Sequence, residues 1–209
     1  MDRKHHWESV YTHKAADAVS WYAPHLSESL RYVVQAAANK DAVIIDVGGG
    51  ESTLVDDLLR EGFHDLSVLD ISSKALEDTQ QRLGSVGASV QWLVADILEV
   101  DLPAGRYDIW HDRAVFHFLT TDEQRQRYVA QVLQSLKPGG HAIVGTFGPD
   151  GPEKCSGLEV SRYSSETLHG TFGQPFELLS SSTEVHTTPW GSPQQFVYCF
   201  CRRADQVIR

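Results

Sequence analysis

The stretch that most constrains the fold is "DAVIIDVGGGESTLVDDLLREG", residues 41–62. A short apolar run, 41–46, ends at an acid, passes through Gly48-Gly49-Gly50 and enters a helical pattern. Leu54, Val55, Leu58 and Leu59 share one helical face, and Gly62 supplies a stop. The pattern then repeats. "LSVLD" (66–70) leads into "SSKALEDTQQRLG" (72–84), which opens on a serine cap and ends in glycine. "ASVQWLVAD" (88–96) and "RYDIWH" (106–111) are the third and fourth strand runs. A helix follows, with Thr120 and Glu123 at capping-box spacing, a stripe of Tyr128, Val129, Val132, Leu133 and Leu136, and a stop at Pro138-Gly139-Gly140. "HAIVGTF" (141–147) is the fifth strand run. Strands alternating with helices predict a parallel, doubly wound α/β sheet with helices on both faces.

The last third is β-rich. "FELLSSSTEVHTT" (176–188) and "QQFVYCFCRR" (194–203), joined by "PWGSP", predict an antiparallel pair at the sheet edge. An N-terminal extension, 1–40, carries Trp7, Tyr11, Trp21 and Tyr22 and a helix near 27–38. No repeat or low-complexity tract divides the 209 residues, so one domain is expected.

A formal net charge of −10 argues against a nucleic-acid partner, since phosphate binding rests on clustered Lys and Arg. The sequence has no apolar run of membrane-spanning length and no apolar leader at its start, so a cytoplasmic protein is expected. Cys155, Cys199 and Cys201 suggest no disulfide framework. Cys199 and Cys201 read as core packing. Cys155, beside Gly and Ser, is expected to be exposed, and no metal site is expected.

Three acids stand where strands end. Asp46 precedes the glycine loop and suits a cationic amine. Asp70 can accept both hydroxyls of a ribose; its ordinary alternative is to cap the next helix, a position for which Ser72 competes. Asp96 can accept an adenine amino group. A nicotinamide-dinucleotide loop would be G-x-G-x-x-G/A. Gly48 and Gly50 fit that pattern, but Thr53 stands at the third position.

With "DVGGGES", "LDIS", "VADI", "YDIWHDRAVFHFL" and "LKPGG" in this order between about residues 42 and 147, the sequence resembles the class I S-adenosylmethionine-dependent methyltransferases. The opening "HWESVY" (6–11) is similar to a group of small bacterial members and, more briefly, to certain protein-lysine methyltransferases. The resemblance implies a Rossmann-like seven-stranded sheet, mostly parallel with a reversed last strand. It implies S-adenosyl-L-methionine as cofactor and S-adenosyl-L-homocysteine as product. It also implies site roles: Asp46 with Gly48, Gly49 and Gly50 near the methionine part, Asp70 on the ribose, and Asp96 and Ile97 at the adenine, with Ser52, Ile71 and Ala95 also expected to bind the cofactor. His111 and Asp112 are expected beside the sulfonium. Trp7, Tyr11, Trp21 and Tyr22 are expected to form a lid that excludes water and offers aromatic faces to a cation. The organisation expected is a cap (1–40), a cofactor core (41–147), and a substrate loop with C-terminal antiparallel strands (148–209).

Proton transfer, where the acceptor needs it, falls to His111 or His117, since an imidazole titrates near neutral pH. Asp112 would orient one of them or pair with Arg113, and His117 between two phenylalanines has core packing as its alternative. The function expected is methyl transfer to a small-molecule acceptor. The alternatives are a protein-lysine methyltransferase, a metalloid (arsenic or tellurium) or thiol methyltransferase, a NAD-dependent oxidoreductase, and a non-catalytic binder of adenosyl nucleosides. The acceptor atom and the oligomeric state are left open.

Overall fold

The computed structural model describes residues 2–205; residues 206–209 of the expected C-terminal segment lie outside the described residues. The chain opens with helices α1 (Arg3–His13) and α2 (Ser27–Ala36) and then enters the alternating core. The core runs β1 (Ile44–Val47), α3 (Leu54–Arg60), β2 (Leu66–Asp70), α4 (Ser73–Leu83), β3 (Gln91–Val94), β4 (Tyr107–Arg113), α5 (Asp122–Ser135) and β5 (Leu136–Phe147). A two-stranded hairpin, β6 (Lys154–Cys155) and β7 (Leu158–Glu159), precedes α6 (Ser165–Phe172), β8 (Phe176–Thr187) and β9 (Pro193–Arg203).

The main sheet has seven strands in the order β3-β2-β1-β4-β5-β9-β8. β1 pairs in parallel with β2 on one side and β4 on the other. β9 runs antiparallel to both β5 and β8, so the reversed last strand is inserted between them and β8 forms the outer edge. Side chains alternate across each strand, so two cores flank the sheet. Ile45, Val47 and Trp110 pack under α5 and α6 with Tyr128 and Phe172. Ile44, Val68 and Ile109 pack under α2, α3 and α4 with Tyr32, Leu58 and Leu76. Among the described residues, no helix is long and apolar enough to cross a membrane.

Three local expectations are corrected. β4 continues through Arg113 instead of ending at His111, because Asp112 and Arg113 still pair with Val144 and Gly145 of β5. β5 begins at Leu136, and the Pro-Gly-Gly segment forms a register irregularity against β4. The capping box uses Thr121 and Gln124, one residue on from the expected Thr120 and Glu123. The Thr121 hydroxyl accepts from the Gln124 amide and the Gln124 side chain accepts from the Thr121 amide, both at 3.3 Å. Successive Thr-Thr and Glu-Gln pairs satisfy the same spacing, and the turn geometry chooses between them. Thr121→Ala is therefore expected to lower the free energy of urea unfolding by about 0.5–2 kcal/mol, with Thr120→Ala close to neutral. A larger loss from Thr120→Ala would overturn this assignment.

Candidate active site

The sheet order reverses between β1 and β4: β2 and β3 lie to one side of β1, and β4 and β5 to the other. The carboxyl ends of two neighbouring strands diverge at such a point and leave a crevice. The glycine loop leaves β1 into that crevice. Gly48 has φ +70°, and a Cβ there would collide with the Val115 side chain. Gly50 has φ +44°, and a Cβ would lie 2.9 Å from the Tyr11 hydroxyl and 3.0 Å from Asp70 Oδ2. Only glycine allows this backbone to pass so close to the acid and the tyrosine.

Two cavities occupy the crevice, of about 100 and 40 Å3. Tyr11, Trp21, Gly48 and Arg113 belong to the walls of both. The larger is lined by Val47, Leu69, Asp70, Ile71, Ala95, Asp96 and Ile97 from the strand ends, and by Ala114, Val115, Phe118 and Leu119 after β4. Asp70 is buried. Its Oδ1 accepts from the Ser72 amide at 2.8 Å, while the Ser72 hydroxyl caps α4 by accepting from Ala75. Asp70 is thus free of the capping role. Burial pushes its carboxyl up to about 7, with nearby Asp46 adding to the rise and the Ser72 amide opposing it. Asp96 Oδ1 accepts from the Leu98 amide, and Oδ2 pairs with Arg3 at 3.0 Å.

The smaller cavity brings together Asp46, Gly49, Glu51, Ser52, Thr53 and His111. Asp46 and His111 face each other across the β1–β4 register, with His111 Nδ1 2.7 Å from Asp46 Oδ1. Asp46 Oδ2, His111 Nε2 and Glu51 Oε2 are buried without hydrogen-bond partners among the described residues. Burial and the nearby Asp78 push the Glu51 carboxyl up to about 7.

An aromatic cover closes the crevice. Trp7 meets Trp21 edge-on at 5.7 Å and Phe118 at 5.1 Å, and Tyr11 meets Trp21 at 6.3 Å. Polar contacts hold the cover down. Glu8 of α1 accepts from the Ser72 and Ser73 hydroxyls and the Lys74 amide at the start of α4, and these bonds draw its carboxyl below the usual value despite its partial burial. Sequence reasoning missed Arg3, Glu8 and Arg113. The available signal for α1 was spacing, since Arg3, Trp7 and Tyr11 recur every four residues on one helical face.

Not every expected site residue reaches the crevice. Asp112 points to the opposite sheet face from His111 and Arg113 because strand neighbours alternate. Its carboxylate accepts from the Tyr128 hydroxyl at 2.5 Å and from the Val115 and Phe116 amides at 2.9 and 3.1 Å, and so anchors the loop after β4 from below. No Asp112–Arg113 pair forms among the described residues, since Arg113 binds Tyr198 and the Trp21 carbonyl instead. His117 is fully buried outside the walls of both cavities, packed on Phe118 and Phe147 with ring centroids 4.5 and 4.6 Å away. Burial first, and the Arg113 charge second, push it down to about 3. Cys155 is buried on the wall of the larger cavity rather than exposed, and burial raises its thiol to about 11. Cys199 and Cys201 pack together in the core beneath α6. Among the described residues, no three His, Cys, Asp or Glu side chains are grouped to hold a metal ion.

The fold has counterparts among known proteins. Residues 44–140 match the family described as "Methyltransferase domain". The eEF1A lysine and N-terminal methyltransferase of Mus musculus is 25% identical over 144 residues, 66% of this chain but 20% of that protein. The chain therefore spans about a fifth of that relative's length. A structure solved in work on the conversion of a disulfide bond into a thioacetal group during echinomycin biosynthesis shares the fold with a TM-score of 0.77 at 17% identity, over 98% of this chain and 94% of that one. The Burkholderia thailandensis 1,6-didemethyltoxoflavin-N1-methyltransferase, solved with its substrate and S-adenosylhomocysteine, shares it with a TM-score of 0.66 at 19% identity, over 97% and 84% of the two chains. Residues 44–140 are thus similar to a methyltransferase domain, and the chain shares its fold with these two solved structures.

The cover generates a prediction. Glu8→Ala removes the bonds that tie α1 to α4, at a cost of about 1 kcal/mol for a carboxylate only partly shielded from water. Amide hydrogen exchange across Arg3–His13 is expected to quicken by about fivefold, with β4 unchanged. Equal exchange in α1 of both proteins would show that Glu8 does not hold the cover.

Proposed function

We propose that this protein transfers a methyl group from S-adenosylmethionine to a small-molecule acceptor. The observation that carries the reading is the convergence of Asp46, Asp70 and Asp96, the acids ending three successive strand runs, on one crevice roofed by Trp7, Tyr11 and Trp21. The donor set fits the cofactor. Asp70 offers a buried carboxylate for ribose hydroxyls. Asp96, with Ala95 and Ile97, offers an acceptor and an apolar slot for adenine. Asp46 Oδ2, buried and unpartnered, suits an ammonium group. Gly48 and Gly50 let the backbone come close. In this reading residues 1–40 are the cap, 41–147 the cofactor core, and 148–209 the substrate loop and closing strands.

When bound, the cofactor supplies a methyl group on a cationic sulfur. The chain's contribution is then to hold the reactants in line and keep water out. The Trp and Tyr faces attract a cation. His111 is the residue placed for proton transfer, since Asp46 orients its ring through Nδ1 and Nε2 is left free. His117 has no such role here, because it is buried away from both cavities and is held neutral. The aromatic cover of Trp7, Trp21 and Phe118 over the crevice supports a small acceptor. The lysine-methyltransferase relative favours a second reading, in which the acceptor is a protein lysine. Incubating the protein with methyl-labelled cofactor and a cell lysate separates them. Label in the small-molecule fraction is expected, and label confined to protein bands would establish the second reading.

Asp70→Ala is expected to weaken S-adenosylhomocysteine binding by about 1–3 kcal/mol in calorimetry. The free carboxyl is protonated below about pH 7, and ribose hydroxyls bind its ionised form better. Affinity is therefore expected to rise from about pH 6 to 8 with proton release, and Asp70→Asn should flatten that dependence. Unchanged affinity and slope in folded variants would remove Asp70 from the site.

A further inference from the structure

Arg113 ends β4, and its side chain stands in the wall common to both cavities. Its Nε donates to the Tyr198 hydroxyl at 3.0 Å and its Nη1 to the Trp21 carbonyl at 3.1 Å. The Phe196 ring lies 4.2 Å from the guanidinium carbon. All three partners are neutral. The other terminal nitrogen, Nη2, is sealed from solvent and has no hydrogen-bond partner among the described residues. Among the described residues, hydrogen bonds lead from Arg113 to an acid only indirectly, through the Tyr198 hydroxyl to Glu184 at 3.2 Å.

A buried cation without an adjacent anion is costly, and a guanidinium fork matches the two oxygens of a carboxylate. The two histidines near this wall bring no negative charge to it. Burial, with the Arg113 charge as a second cause, pushes both His117 and His186 below the usual imidazole value. Across the smaller cavity the sign changes, with Asp46 Oδ2 and Glu51 Oε2 unpartnered. The larger cavity offers Trp7, Trp21 and Phe118.

We propose that Arg113 is an anion anchor, with its free Nη2 edge taking the carboxylate of a ligand bound in the crevice. This rests on reading the crevice as the methyl-transfer site. Two reactants of that site can bring a carboxylate: the amino-acid end of the cofactor, whose ammonium would face Asp46, and an acceptor that is itself an organic acid seated on the aromatic wall.

The test is calorimetry on the full chain and on Arg113→Gln and Arg113→Lys, with S-adenosylhomocysteine and its decarboxylated analogue as probes. Anchoring of the cofactor's carboxylate predicts about tenfold or greater loss of S-adenosylhomocysteine affinity in Arg113→Gln, partial recovery in Arg113→Lys, and an analogue that ignores both substitutions. Anchoring of an acid acceptor predicts unchanged S-adenosylhomocysteine affinity. With that ligand saturating, phenylacetate or indole-3-acetate should then bind the unaltered protein at least about tenfold better than the matching amide, and the preference should vanish in Arg113→Gln. Should Arg113→Gln fail to fold, the same comparisons of acid with amide and of parent with decarboxylated ligand, on the unaltered protein and Arg113→Lys, decide the matter. Unchanged S-adenosylhomocysteine affinity together with no preference for acid over amide overturns the anchor. Failure of both adenosyl ligands to bind the unaltered protein overturns the reading of the crevice itself.

Discussion

The pairing of β1 with β4 is the constraint on which the rest of the site depends. It sets Asp46 opposite His111 at the point where the sheet order reverses, and the two side chains meet at 2.7 Å with almost no exposure. Breaking such a buried polar pair by removing one partner typically costs several kcal/mol, because the other is left without a partner in a dry place. The pair therefore fixes the relative height of the two strand ends. Everything that leaves those ends inherits that height: the glycine loop after β1, and the turn through Ala114 and Val115 after β4. The two loops start from this level, and Val115 fills the space that a Cβ on Gly48 would need.

The roof is tied to the same frame by polar bonds as well as by ring packing. Glu8 binds the start of α4, just after Asp70. Arg3 binds Asp96. Arg113 holds the Trp21 carbonyl, His186 holds that of Ser20, and Thr53 holds that of Ala23. Aromatic packing alone is weakly directional. Hydrogen bonds to loops that carry the acids make the roof register with the floor, so moving one disturbs the other.

The fold was readable in the sequence because its elements follow strong periodic rules: apolar runs ending in acids, helices stopped by glycine, and a β-rich end. The acids of the crevice were readable too, since strand ends are where this sheet type places ligands. The faces of β4 were not. A strand buried on both sides shows no apolar alternation, so "HDR" gave no sign that His111 and Arg113 face the crevice while Asp112 faces Tyr128. Ending the strand two residues early hid the alternation that separates them. The fate of Cys155 and His117 was hidden for a different reason. Both are covered by segments distant in sequence, and the Gly and Ser around Cys155 report only its local turn.

The electrostatics of the crevice follow from this arrangement. Burial first, and a neighbouring acid second (Asp78 for Glu51, Asp46 for Asp70), push the carboxyls of Glu51 and Asp70 up to about 7. Crowding like charges raises the energy of the empty, ionised site. A cation entering it relieves that repulsion, while a neutral molecule of the same shape does not. Under the proposed reaction the adenosyl ligand is cationic before methyl transfer and neutral at sulfur afterwards. The carboxylates and aromatic faces therefore favour the reactant over the product, and part of the binding energy is surrendered when the transfer is complete. On the proposed reaction, a site so biased would hold the cationic cofactor more tightly than its neutral product.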